Sequence, residues 1–303
     1  MLEKAGKFSL SKDSFFRNKS FILGLSIGAI VVLVITAVVI AVLRVTEAKE
    51  SESESHWSYD NQAAWPGLCQ NGTRQSPIIL NEYNATKATV SPLYIEHISN
   101  YFEDLEVENN GHTVELMFSS VTDAPTLSGA GLPGNFTLNN VHFHWPSEHI
   151  INGEYADLEA HFVFYSQEYA NLSEALEVPH AVTVVGVLFE EVEEDIDNSF
   201  DVLDDAVEAV TYPGTTNTKG NITLADFFPD ETDTFFQYTG SLTTPKCNEN
   251  INWIVFNSNG IISTDDLTKL VHIYTEDHKR LVSNNRQLQK RRGRTIYLSS
   301  QSS

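Results

Sequence analysis

From residue 105 onward, short apolar runs alternate with polar and turn-forming residues. Successive side chains of a strand point to opposite faces, so this alternation predicts half-buried strands. It marks Leu105–Glu108, Thr113–Phe118, Val141–Trp145, Glu159–Phe164, Ala181–Phe189 and Trp253–Phe256. Between the third and fourth lie Pro146 and Asn152-Gly153, which suit an antiparallel return. Two stretches switch to the helical period. Phe200, Leu203, Val207 and Val210 share one face of a helix over Phe200–Val210, with Ser199 placed to cap it. Thr264 is placed to cap a second helix over Asp265–Ile273, whose first turn is acidic. The pattern predicts a mainly β, α+β domain: a large twisted, mostly antiparallel central sheet with short peripheral helices. No linker or repeat interrupts residues 57–303, so one domain is expected there.

The N-terminal part has another pattern. Residues 1–20 are polar and basic, and Phe21–Leu43 is an uncharged run of 23 residues, long enough to span a bilayer. The basic flank precedes the run, which orients a span with its N-terminus in the cytosol. The expectation is an uncleaved signal-anchor and a single-pass protein with an extracellular or luminal body. A cleaved signal is the alternative, although Arg44–Ala48 makes a poor cleavage site; a buried helix is the third reading. Residues 44–56 read as a charged, serine-rich linker.

Sequons and cysteines agree with an exported body, while charge bears on what the body can bind. The net charge is -22. Such acidity excludes nucleic-acid binding, which needs basic surface, and is read as solubility. The acidic run Glu190–Asp197 is read as a solvated loop. Sequons stand at Asn71, Asn84, Asn135, Asn171 and Asn221, candidate glycosylation sites in a translocated domain. The two cysteines, Cys69 and Cys247, are one disulfide or two free thiols; an oxidising compartment favours the bond.

The candidate chemistry lies in Asn139–Phe164, which holds four of the ten histidines. His142 and His144 are two apart on a predicted strand and point the same way. Glu159, His161 and Val163 share a face of the next strand. Paired, the strands bring three imidazoles together. Three protein ligands leave the fourth position of a tetrahedral zinc open, as a catalytic site requires. Core or surface histidines are the alternative.

Further segments join this one. They are Asn109-Asn-Gly-His-Thr-Val-Glu115, Gly240-Ser-Leu-Thr-Thr-Pro245 and Cys69-Gln-Asn-Gly-Thr-Arg-Gln-Ser-Pro77 after His56-Trp-Ser-Tyr59. Together they resemble the alpha-class carbonic anhydrases from Trp57 to the end. The short Trp145-Pro-Ser-Glu-His149 connection is more similar to plant, algal and bacterial members. The resemblance implies zinc on His142, His144 and His161, and reversible hydration of carbon dioxide to bicarbonate by zinc-bound hydroxide. It implies that Thr243 and its partner Glu148 orient the nucleophile, and that His112 shuttles the proton. It places Thr244 near bicarbonate and makes Val163, Val184, Leu242, Ile251 and Trp253 the apolar wall for carbon dioxide. Glu159 and Asn140 match residues behind ligand histidines, Asn140 standing where many members have glutamine. Asn284 matches an Asn-x-Arg segment. His149 is read as a buried structural residue. The implied partners are the small-molecule substrate and, through the N-terminal helix, a membrane. A non-catalytic binding or receptor domain, or a zinc esterase, is the competing function; relatives of the former usually lack a ligand histidine.

Overall fold

The alternation is realised as a 13-stranded mixed sheet. The computed structural model describes residues 57–301, apart from 119–121, 195 and 197. Ten strands form its main path: β1 (Thr86–Val90), β2 (Leu105–Asn109), β3 (Val114–Met117), β4 (Phe136–His144), β5 (Leu158–Ser166), β6 (Val182–Val192), β7 (Thr215–Lys219), β8 (Thr234–Ser241), β9 (Glu249–Phe256) and β10 (Tyr297–Gln301). Their spatial order is β7-β2-β3-β4-β5-β6-β9-β8-β10-β1. Most neighbours are antiparallel; β6 with β9 and β10 with β1 are parallel. The expected α+β architecture is present, with short helices at the periphery.

The central strands are covered on both faces. On one, Leu138, Val141 and Phe143 of β4 join Ala160, Phe162 and Phe164 of β5 under Phe200, Leu203 and Val207 of the helix Ser199–Ala209. The other face carries a second apolar cluster, with Val163, Val184, Ile251 and Trp253 at its centre. One irregularity matters. Val163 pairs with Asn140 but Phe164 with Leu138, so Asn139 is an extra residue in β4. Such a bulge resets the alternation. Leu138 therefore reaches the same core as Val141, while Asn140 and His142, both past the bulge, share the opposite face by ordinary alternation.

Both expected helices form, each capped one residue earlier than the pattern suggested. The side chain of Asn198, held extended, accepts from the Phe200 N–H. Ser199 Oγ is drawn away to Thr223 O and Asp226. Ser263, not Thr264, accepts from the Asp266 N–H, and that helix stops at Leu270. Cys69 and Cys247 are bonded, with Cα atoms 5.1 Å apart, and pack with Trp65. All five sequon asparagines are exposed.

The expected membrane anchor needs correction. Phe21–Leu43 lies outside the described residues, and among the described residues no helix is long and apolar enough to cross a membrane. The 11-residue helix Ser199–Ala209 spans about 16 Å against a hydrocarbon core of about 30 Å, and its apolar face is already spent on the core. The single-pass topology, the membrane as partner and the extracellular or luminal location are withdrawn with the anchor.

Candidate active site

The antiparallel register of β4 and β5 sets His161 opposite His142 and Glu159 opposite His144. The bulge lies beyond this pair, so all three imidazoles stay on one face. One ring nitrogen from each of His142, His144 and His161 lies within 4.8 Å of the others. His144 and His161 are buried, while His142 is half-buried.

Each ring has one nitrogen committed elsewhere. His142 Nδ1 donates to Asn140 Oδ1 at 3.0 Å. His144 Nδ1 donates to Asn284 O at 2.8 Å. His161 Nε2 donates to Glu159 Oε1 at 2.7 Å. These acceptors fix the tautomers and leave Nε2, Nε2 and Nδ1 as lone pairs turned together. His144 Nε2 is buried without a hydrogen-bond partner. A buried polar atom without a partner is costly unless something binds it, and three neutral imidazole lone pairs are a fitting zinc donor set. Burial keeps the rings neutral: it pushes His144 down to about 4, and lowers His142 and His161, the latter against the opposing pull of Glu159.

Glu159 is the hub beneath the site. Its Oε2 accepts from the Glu148 and His149 backbone N–H groups at 2.8 and 2.7 Å. Its Oε1 accepts from His161 Nε2 and His149 Nδ1, both at 2.7 Å. Burial opposes the charge, yet the imidazoles of His149 and His161 hold this carboxyl well below the usual carboxylate range. His149 Nε2 then accepts from the Tyr238 hydroxyl at 2.7 Å, which pairs with Ser76 Oγ at 2.8 Å. His149 is thus the buried structural residue expected.

Glu148 is fully buried. Burial raises its pKa to about 7, against the lowering effect of His161. Its Oε1 accepts from the Arg286 N–H at 2.7 Å, while Oε2 completes no hydrogen bond of normal geometry. The Thr243 hydroxyl is close enough to lower the carboxyl's pKa. Asn284 ties the C-terminal segment to the end of β4 through Trp145 N, Phe143 O and His112 O.

The five expected apolar residues also meet. Val163 pairs with Val184, and Val184 with Trp253. Ile251 belongs to the same cluster and Leu242 packs against it, with the Trp253 ring centroid 4.9 Å from that of His161. Thr244 is half-buried beside Thr243. His112 is stacked on Trp57, with ring centroids 3.7 Å apart, and burial lowers it to about 4. Sequence reasoning missed the Trp57 stack, the Tyr238–Ser76 extension, and Glu115, which pairs with His142 across β3 and β4. Alternation in Thr113–Phe118 already put Glu115 on the face away from Val114 and Leu116; the stack had no signal.

The neighbouring group His149, Glu159 and His161 also gathers ligand-type atoms within 4.8 Å, but there every facing atom is already bonded to another. Of these two groups among the described residues, the three-histidine one offers free lone pairs. Residues 52–300 match the family of eukaryotic-type carbonic anhydrases. This chain belongs to that family. It is 32% identical over 269 residues to carbonic anhydrase 4 of Oryctolagus cuniculus, covering 81% of this chain and 85% of the relative. It is 29% identical to putative carbonic anhydrase 5 of Caenorhabditis elegans, over 87% and 88% of the two chains. It is 30% identical to carbonic anhydrase 7 of Homo sapiens, over 79% and 96%. A closer relation to plant, algal and bacterial carbonic anhydrases is overturned by this match to the eukaryotic type and to animal relatives. The short Trp145–His149 connection misled because loops change length without altering the sheet they join.

Proposed function

We propose that this chain catalyses the reversible hydration of carbon dioxide to bicarbonate and a proton, with zinc held by His142 Nε2, His144 Nε2 and His161 Nδ1. The observation that carries the reading is the arrangement of those three rings: outer nitrogens donating to fixed acceptors, inner lone pairs converging. Bound there, zinc supplies hydroxide at neutral pH by lowering the pKa of coordinated water to about 7, carbonic anhydrase being the reference case for that value.

The protein's own part is orientation and access. With Oε1 of Glu148 occupied by the Arg286 N–H, Oε2 is left for the Thr243 hydroxyl. A hydroxyl that donates to a carboxylate has only lone pairs to offer the reacting group, so it fixes which way that group's own lone pair points. Val163, Val184, Leu242, Ile251 and Trp253 give carbon dioxide a surface with no hydrogen-bond demand, and Thr244, next to Thr243 in the chain, takes the bicarbonate role. His112 carries the product proton outward. Stacked on Trp57 it is a weak base, so the shuttle works from a position turned into solvent, where its pKa returns toward 6.5.

The test is metal content with stopped-flow carbon dioxide hydration. One zinc per chain and chelator-sensitive hydration support the reading. Absence of both in folded protein sinks it and favours a binding domain.

A further inference from the structure

A cavity of about 880 Å³ opens beside β8, β9 and the segment before β10. Gln237, Thr239 and Asn252 line it. Along their strands these residues alternate with Tyr238 and Trp253, whose rings pack against His149. The cavity therefore lies largely on the sheet face turned away from the three histidines. Its volume falls in the range of small-molecule sites.

Its charge runs against the rest of the molecule. The chain has 19 Lys and Arg against 41 Asp and Glu. Yet four cations fall within Lys290-Arg291-Arg292-Gly293-Arg294, and Arg292 and Arg294 line the cavity together with Arg74. Among the described residues none of these three arginines forms an ion pair with a carboxylate, although Glu249 lies near enough to Arg294 to act on its charge. The Arg294 guanidinium donates to the carbonyls of Thr239, Gln75, Lys290 and Arg291. Arg74 reaches the Asn250 side-chain oxygen at 3.4 Å. A neighbouring carboxylate, Glu249, is engaged by the Arg74 backbone N–H and the Gln75 amide instead. Among the described residues Arg292 has no hydrogen-bond or ion-pair partner.

The backbone adds an independent sign. The Arg294 N–H donates to Arg291 O at 3.2 Å, closing a turn whose central residues, Arg292 and Gly293, have φ of 49° and 74°. A turn with two left-handed central residues takes Asn, Asp or Gly at the first for steric reasons. An arginine there holds an unfavourable backbone while its charge stays unpaired. Strain of this kind clusters at ligand clamps but is not confined to them, since ten other non-glycine residues among those described have positive φ.

We infer that this cavity binds a small soluble ligand through a diphosphate or similar multiply charged phosphate group, with Arg74, Arg292 and Arg294 as its contacts. Guanidinium forks match phosphate oxygens in geometry. Arg74 and Arg292 have such forks to offer, while Arg294, already donating to four carbonyls, adds its charge to the wall. Three cations against one recess call for more than a single negative charge, which separates this ligand from bicarbonate. The remaining walls, which include Leu132, Pro133 and Tyr297, offer apolar and aromatic surface to the uncharged part of the ligand.

Calorimetric titration of the full chain with inorganic pyrophosphate tests this without reference to zinc or turnover. Saturable binding at one per chain is expected. Arg292→Ala and Arg74→Ala should each weaken it at least 10-fold, while Lys279→Ala, which removes a positive charge from an exposed side chain outside the cavity, leaves it unchanged. Arg292→Asn is the decisive variant. It should lose binding equally and unfold about 1–2 °C higher, because asparagine suits the left-handed position. No saturable binding, full affinity in Arg292→Asn, or binding of heparin fragments in place of pyrophosphate would each overturn the site.

Discussion

Two groups of ligand-type side chains share His161 and stand side by side under the same sheet. His142, His144 and His161 converge within 4.8 Å, and so do His149, Glu159 and His161. By proximity they are equals. They differ in what their facing atoms already hold. In the second group every facing atom is a donor or acceptor satisfied by another member. In the first, the donors point outward to Asn140, Asn284 and Glu159, and His144 Nε2 has no partner at all. A metal site is recognised by lone pairs left over after the hydrogen bonds are assigned, and a structural network by having none. His161 belongs to both, with Nε2 in the network and Nδ1 at the site.

The largest way to break the comparison is one alanine in each group. His144→Ala should lose zinc on dialysis and reduce carbon dioxide hydration to background. His149→Ala should keep about one zinc per chain and lose stability instead, by about 2–4 kcal/mol, since it unpairs Tyr238 and one face of Glu159. Metal analysis beside denaturant unfolding reads both. Equal zinc loss in the two variants would erase the distinction.

Glu159→Gln strikes the shared point and should act next most strongly. The amide replaces an anion that accepts four hydrogen bonds, and its NH2 must face a donor. Zinc affinity should fall about 10–100-fold, the usual cost of losing a ligand's hydrogen-bond partner. The pH dependence has a definite sign. The folded carboxyl is held below its ordinary value, so its stabilisation is complete above the unfolded pKa near 4.5 and is lost as pH falls through the lower folded one. Unfolding of the variant should be flatter with pH on the acid side; an unchanged acid limb would show that Glu159 carries little of the fold.

Asn140→Ala sharpens the comparison at the least buried of the three ligands, although Asn140 itself is buried. His142 is the half-buried ligand, so water can replace the lost Oδ1 acceptor. Zinc affinity should fall by less than about 10-fold, measured by competition with a chelator. A loss as large as that of Glu159→Gln would mean that burial does not govern how replaceable an acceptor is.

The chain showed part of this and hid part for identifiable reasons. The period-2 pattern disclosed β4, β5 and β6, and the spacing of His142, His144 and His161 disclosed which way they point. The bulge at Asn139 was not readable, because one extra residue is specified by the partner strand rather than by local alternation. The Tyr238–Ser76 extension and the Arg286 N–H on Glu148 join residues 162 and 138 apart, beyond any local pattern. The caps at Asn198 and Ser263 were misplaced by one residue because adjacent Asn-Ser and Ser-Thr pairs offer two capping side chains, and contacts distant in sequence chose between them.

The last effect is on stability rather than on zinc, and concerns the carboxylate that neither group uses. Glu115 pairs with His142 across β3 and β4 and accepts from Asn110 Nδ2 at 3.1 Å. Burial raises its pKa to about 7, more than the Asn110 bond lowers it. In the zinc-free protein this makes Glu115 a cost. The folded carboxyl holds its proton more tightly than the unfolded one, so stability falls as pH rises from about 4.5 to about 7 and then levels off. Glu115→Gln keeps the shape and removes the titration. It should match the wild type near pH 4 and exceed it by on the order of 1–3 kcal/mol at pH 8, read by urea unfolding of both proteins without zinc. A gain that is independent of pH would assign the effect to packing. A loss at pH 8 would show that the charge is welcome there, held by the same neighbours that hold His142.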